Sequence, residues 1–134
     1  MSDTDSLLFA NEAFYRAFAD RDMDAMADLW SRDHPVTCVH PGWRPLFDRS
    51  EVLASWAAIL GAPEAPDIRC FRPTAHLYGE LGTVICFERL PGGVLVATNM
   101  FVRQGSVWKM IHHQGGPTSM AVPAEEAPPG GAVH

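Results

Sequence analysis

From Asp5 to Ala19 the apolar residues Leu8, Phe9, Ala13, Phe14, Ala17 and Phe18 recur at helical spacing, with Asp3 or Asp5 placed to cap the start. Asp20-Arg21-Asp22 interrupts this pattern. A shorter helix is predicted from Met23 to Trp30, with Met23, Met26, Leu29 and Trp30 on one side. Asp33-His34-Pro35 is a turn signal, and Val36 to His40 is a short apolar strand stopped by Pro41-Gly42. Asp48 or Ser50 then caps a third helix reaching Leu60, with Val52, Leu53, Trp56, Ile59 and Leu60, and Gly61-Ala62-Pro63 ends it. Beyond Pro66 the period changes. Strands are predicted over Ile68–Tyr78, Gly82–Leu90, Val94–Arg103 and Ser106–His113, with hairpin connections at Pro91-Gly92-Gly93 and Gln104-Gly105. Helices followed by an antiparallel meander make an α+β layout, with three N-terminal helices packed on one face of a curved sheet. Residues 117–134 are rich in Pro, Gly and Ala without a period. The expected organisation is one domain over 1–116 and a flexible C-terminal arm over 117–134.

Two-residue turns at Gln104-Gly105 and Gly92-Gly93 fix a register for the hairpins. Alternation then puts Cys86, Glu88, Ala97, Asn99, Phe101, Trp108, Met110 and His112 on one face. The other face carries Ile85, Phe87, Val94, Val96, Thr98, Met100, Val102, Val107, Lys109, Ile111 and His113. Both faces are apolar, so two covers are needed. The helices supply one. A second copy of the chain is the simplest cover for the β-branched face, which predicts a homodimer through the outer sheet face. In this register Glu88, Ala97 and His112 share one line, and small Ala97 lets the two polar side chains meet. Asn99 lies one pleat along.

Composition narrows the classes. The chain has 134 residues and a formal net charge of −6, with 47% hydrophobic and 19% charged residues. That balance suits a globule and excludes the basic footprint of a nucleic-acid binder or a polybasic membrane anchor. No apolar run approaches the ~20 residues of a membrane span, and residues 1–6 show no secretory pattern. Cys38, Cys70 and Cys86 form no CxxC pair. A cytoplasmic protein with reduced, buried thiols is expected.

Several segments carry a family resemblance. They are Phe14-Tyr15-Arg16-Ala17-Phe18, the run from Asp22 to Trp30, His40-Pro41-Gly42-Trp43, the run from Arg49 to Trp56, and Trp108 to His113. Together they resemble the nuclear transport factor 2-like superfamily and, within it, the SnoaL-like proteins. The resemblance implies a cone-shaped α+β roll of the cystatin-like kind, a pocket between helices and sheet, and a dimer through the sheet. Ketosteroid isomerases of that superfamily place a general-base Asp before a Pro; here His40 precedes Pro41. Their oxyanion-hole Asp on the penultimate strand matches Asn99. Their oxyanion Tyr in the first helix matches Phe14, with Tyr15 one residue away, so the isomerase set is incomplete.

The expected site is therefore a small-molecule pocket. His40 is the candidate base, Asn99 the donor to a carbonyl, and Glu88 with His112 the tuning or relay pair. Tyr15, Trp43, Trp56, Phe101, Trp108 and Met110 are candidate ligand contacts. Adjacent His112 and His113 point to opposite faces and cannot share an ion, and Cys38 with His40 makes only two ligands, so no metal is expected. No cofactor is expected either, since no Gly-rich phosphate loop is present. Two functions fit: a cofactor-independent isomerase, cyclase or dehydratase acting on an apolar or aromatic carbonyl compound, or a non-catalytic ligand-binding or oligomerisation module resembling the calcium/calmodulin-dependent kinase II association domain.

Overall fold

The computed structural model describes residues 1–119. The elements in chain order are α1 (Asp3–Ala19), α2 (Met23–Leu29), β1 (Thr37–Val39), α3 (Arg49–Gly61), β2 (Arg69–Tyr78), β3 (Leu81–Leu90), β4 (Gly93–Gln104) and β5 (Val107–Pro117). The α+β architecture read from the sequence is the one observed. Of the predicted arm, residues 120–134 lie outside the described residues.

Helix ends follow their caps. Ser2, rather than Asp3 or Asp5, caps α1 by accepting a bond from the Asp5 amide, with Asp3 and Asp5 in the first turn where the helix dipole favours them. Asp22 caps α2 and Asp48 caps α3 in the same way. The buried stripe of α1, which includes Leu7, Asn11, Phe14 and Phe18, lies over the sheet. Helix and strand approach closely at Gly82, where an added Cβ would sit 2.6 Å from Leu7 Cδ2.

The sheet order is β1-β5-β4-β3-β2. Strands β2 to β5 form the antiparallel meander, and β1 adds a parallel edge against β5. The core between helices and sheet is built from Phe14, Met26, Trp30, Val52, Trp56, Phe101 and Met110, all fully buried. No helix among the described residues is long and apolar enough to cross a membrane.

The turns differ from the expected ones and so does the register. Pairing of Leu90 with Gly93 puts Pro91-Gly92 at the first turn, with Gly92 at φ +90°. Pairing of Gln104 with Val107 puts Gly105-Ser106 at the second, with Gly105 at φ +68°. Each turn moves the register by an even step, which keeps the faces. A further shift then separates Phe101↔Met110 from Met100↔His112, leaving Ile111 as an extra residue on β5. This bulge is an odd step, so it reverses the faces beyond it. His113, not His112, joins the buried face.

Candidate functional site

Four elements converge where β4 and β5 pass beneath α1 and α3. Strand β4 supplies Asn99 opposite His113 of β5, strand β3 supplies Cys86 and Glu88, and α1 supplies Asn11 and Tyr15. Each of these six residues carries a polar or ionisable group, the Cys86 thiol included, and all six are buried. They satisfy one another. The Tyr15 hydroxyl donates to Glu88 Oε2 at 2.6 Å. Asn99 Nδ2 donates to Asn11 Oδ1 at 2.8 Å and to Tyr15 Oη at 3.2 Å. That orientation leaves Asn99 Oδ1 as the acceptor for His113 Nδ1–H at 2.6 Å. The second ring nitrogen of His113, Nε2, therefore keeps its lone pair.

His40 sits at the end of the β1 segment, ahead of Pro41, and is 4% exposed. Its ring is held edge-on between Trp43 and Trp56, each with a centroid separation of 4.8 Å. Ser55 of α3 donates its hydroxyl proton to the Val52 carbonyl at 2.6 Å. Its oxygen thus receives His40 Nε2–H, at 2.9 Å. This fixes the tautomer and leaves the lone pair on His40 Nδ1, with the Cys38 sulfur 4.0 Å away. The Cys38 thiol is pushed up to about 12 by burial, so it stays protonated.

His40 and His113 have ring centroids 6.2 Å apart and line one cavity of about 340 Å3 with Glu88. Its walls are mostly apolar, from Phe18, Trp43, Trp56, Ile59, Ile68, Leu90 and Leu95 among others. Burial lowers His40 to about 4. It lowers His113 to about 3, with the His40 and His112 rings adding to the effect. Both imidazoles are neutral in the physiological range. Burial raises the Glu88 carboxyl, and the Tyr15 hydrogen bond partly counters that. The Tyr15 hydroxyl is itself raised by burial and by neighbouring Glu88 and Cys86. Gly115 lies beside the Glu88 carboxyl, where an added Cβ would stand 3.4 Å from Glu88 Oε1, an ordinary van der Waals contact.

The structure brings His40, Glu88, Trp43 and Trp56 together in this cavity, and Tyr15 reaches it through Glu88. It does not form the expected Glu88–His112 pair. His112 is turned away by the Ile111 bulge and its Nδ1 meets Thr37 Oγ1 of β1 at 2.6 Å. Nor do Glu88 and Ala97 face each other, because Leu95 stands opposite Glu88. Asn99 is fully occupied by Asn11, Tyr15 and His113. Phe101 and Met110 are fully buried core residues, and Trp108 packs beside α1 with its Nε1–H on Ser6 Oγ; none of the three lines the cavity. Three contributors were missed: His113, Asn11 and Ser55. Asn11 had a signal, as a polar residue inside the apolar stripe of α1. Among the described residues, no group of three or more His, Cys, Asp and Glu could hold a metal ion.

The profile of the SnoaL-like domain family matches residues 8–123. The chain belongs to the SnoaL-like family. This SnoaL-like chain is 31% identical to a solved structure described as a candidate dehydratase of the nuclear transport factor 2-like family from Streptomyces avermitilis. The match has a TM-score of 0.79 and covers 88% of this chain and 97% of that one. It is 30% identical to a candidate calcium/calmodulin-dependent protein kinase type II association domain from Thiobacillus denitrificans, with a TM-score of 0.74 over 82% of this chain and 93% of that one. It is also 25% identical over 112 residues to the F-box protein SKIP8 of Arabidopsis thaliana. That match covers 82% of this chain but only 48% of the plant protein.

Proposed function

We propose that this SnoaL-like chain is a cofactor-independent acid–base enzyme acting on a neutral apolar or aromatic carbonyl compound. One observation carries the reading: His40, whose Nδ1 keeps its lone pair with the Cys38 sulfur 4.0 Å away, lines a cavity together with His113 and the Glu88 carboxyl. An apolar cavity with a few convergent polar groups is the usual form of a small-molecule site. His40 takes a proton from the carbon next to the carbonyl, which leaves an enolate and an imidazolium. With a pKa of about 4 the imidazole is available as acceptor throughout the neutral range, and its conjugate acid returns the proton readily. The Glu88 carboxyl, raised by burial, lines the same cavity, and in its acid form it gives a hydrogen bond to the developing oxyanion. Returning the proton at another carbon completes an isomerisation; loss of a β-hydroxyl with that proton as water completes a dehydration. Asn99 acts as a positioning residue that holds His113. The likeness to a candidate dehydratase supports this class of chemistry.

The test uses 2-acetylnaphthalene in D2O. The wild-type chain is expected to accelerate deuterium entry into its methyl group, read by mass spectrometry. His40→Gln is expected to lower that rate about 100-fold, within the usual range for a general base, with an unchanged melting temperature. Binding of the ketone without exchange would assign the cavity to a non-catalytic binder.

A second reading, an oligomerisation module, is favoured by the outer sheet face. Ile85 is 44% exposed there, and Phe71 and Phe87 stack beside it with centroids 5.5 Å apart. Met100, Val96 and Thr98 continue the patch on β4. A second copy of the chain is the proposed cover, and the two readings are compatible.

A further inference from the structure

Glu88 and His113 are the two ends of one hydrogen-bonded chain, and both ends line the His40 cavity. The direction of that chain is fixed. Tyr15 spends its hydroxyl proton on Glu88 Oε2, so its oxygen accepts from Asn99 Nδ2 at 3.2 Å. The same amide nitrogen gives its other proton to Asn11 Oδ1 at 2.8 Å. Asn99 Oδ1 then takes the His113 Nδ1 proton at 2.6 Å. Every donor from His113 to Tyr15 points towards Glu88. The far end of the chain, His113 Nε2, is thereby an acceptor.

The three rings that pack against His113 supply no donor to it. Phe14 has none. His40 commits its N–H to Ser55 and offers a lone pair of its own, and two lone pairs cannot bond each other. The Trp56 indole N–H has no hydrogen-bond partner at all, so it does not serve His113. A buried acceptor gains when a donor reaches it. The cavity walls are mostly apolar and include no Lys or Arg, so a neutral donor such as a hydroxyl suits them better than a charged one.

We propose that His113 Nε2 is a substrate-binding acceptor that selects a β-hydroxy ketone. The carbonyl faces Glu88, the carbon next to it faces His40, and the hydroxyl on the following carbon donates to His113. The two imidazoles stand close enough for neighbouring carbons to meet both, with ring centroids 6.2 Å apart. This rests on the reading of the His40 cavity as a carbonyl site and adds the group that the substrate carries beyond the carbonyl.

The test compares two ketones of matched size on the full chain carrying His40→Leu, which removes the base without adding a donor, so that binding alone is read. One is 3-hydroxy-1-(2-naphthyl)propan-1-one. The other is 1-(2-naphthyl)butan-1-one, in which a methyl group replaces the hydroxyl. Titration calorimetry is expected to show at least tenfold tighter binding of the hydroxy ketone, because a site built for a hydroxyl rejects the analogue that lacks it. In the 15N-labelled chain the His113 Nε2 resonance is expected to move with the hydroxy ketone and to stay in place with the butanone. Equal binding of the two, or a His113 Nε2 that does not move, would overturn the proposal while the His40 reading still stands on deuterium exchange in the wild-type chain. Preference for the hydroxy ketone with a moving Nε2, but no exchange in the wild-type chain, would keep the His113 site and remove the His40 reading. If neither ketone binds, both fall.

Discussion

His113 Nδ1 lies 2.6 Å from Asn99 Oδ1, while the preceding His112 reaches Thr37 on the other side of the sheet. One extra residue in β5, Ile111, produces this exchange of faces. The two histidines should respond differently to removal. His113→Ala leaves the Asn99 oxygen buried without a donor and opens a gap against Phe14 and Trp56. A cost of about 2–4 kcal/mol is expected from the lost bond and packing. His112→Ala breaks a half-buried bond and should cost about 1 kcal/mol. Urea denaturation of both variants checks the order; equal costs would contradict the assigned faces.

The same bulge marks the limit of what the sequence shows. Helix positions were legible because caps such as Asp48 and the apolar stripe of α1 act locally. The faces of β3 and β4 were legible because an error of two residues in a turn preserves alternation. Nothing in the run from Met110 to His113 marks where the extra residue sits, since Ile111 is as β-favouring as its neighbours. The packing of Phe14 and Trp56 around a buried His113 is a tertiary effect. His40 was readable from its place before Pro41. The lone pair on its Nδ1 was not, because Ser55, which fixes the tautomer, approaches from a different helix.

Acid stability follows from the lowered imidazoles, of which His40 and His113 are moved furthest and His112 is also lowered by burial. In the unfolded chain each histidine titrates near 6.5. In the native state His40 is held down at about 4 and His113 at about 3. Below about 6.5 the unfolded chain binds more protons than the native one, so this stabilisation is complete above that pH and is lost as pH falls towards 4. For His40 the loss is on the order of 3 kcal/mol. Glu88 opposes it, because a raised carboxyl favours the native state at low pH and loses that contribution as pH rises above its ordinary value. With His112 lowered as well, three imidazoles act against this one carboxyl. Urea denaturation between pH 7 and 4.5 should show falling stability, with a shallower fall in the double variant His40→Gln/His113→Gln. An unaltered slope in that variant would place the acid sensitivity elsewhere.

Tyr15 sets the state of Glu88. Its hydroxyl donates to Oε2 of the carboxyl group, and that bond holds the Glu88 pKa below the level burial alone would impose. Tyr15→Phe should therefore raise the Glu88 pKa further, read from the carboxyl carbon shift in a pH titration by NMR. It should also cost about 1–3 kcal/mol, since a buried carboxyl loses its donor. A Glu88 pKa that stays put or falls would show that the carboxyl answers to another group.

The outer face of the sheet provides the last test. Ile85 pairs with Thr98 and Phe87 with Val96, so their side chains form one apolar strip across β3 and β4. The helices cover the opposite face, and nothing within one described chain covers this one as fully: Ile85 stays 44% exposed. A stable interface buries roughly 800 Å2 on each partner, and a strip continued by Phe71 and Met100 can supply the apolar centre of such an area. Light scattering at micromolar concentration should give a mass near twice the 14.7 kDa of one chain. Ile85→Lys places a charge at the centre of the strip, where it would be buried without a partner, and should return the mass to that of one chain. Ile85 is outside the core, so the variant should keep its helical circular dichroism. A wild-type mass of one chain would leave the strip uncovered and remove the dimer, whereas an Ile85→Lys chain that still dimerises would move the interface to another surface.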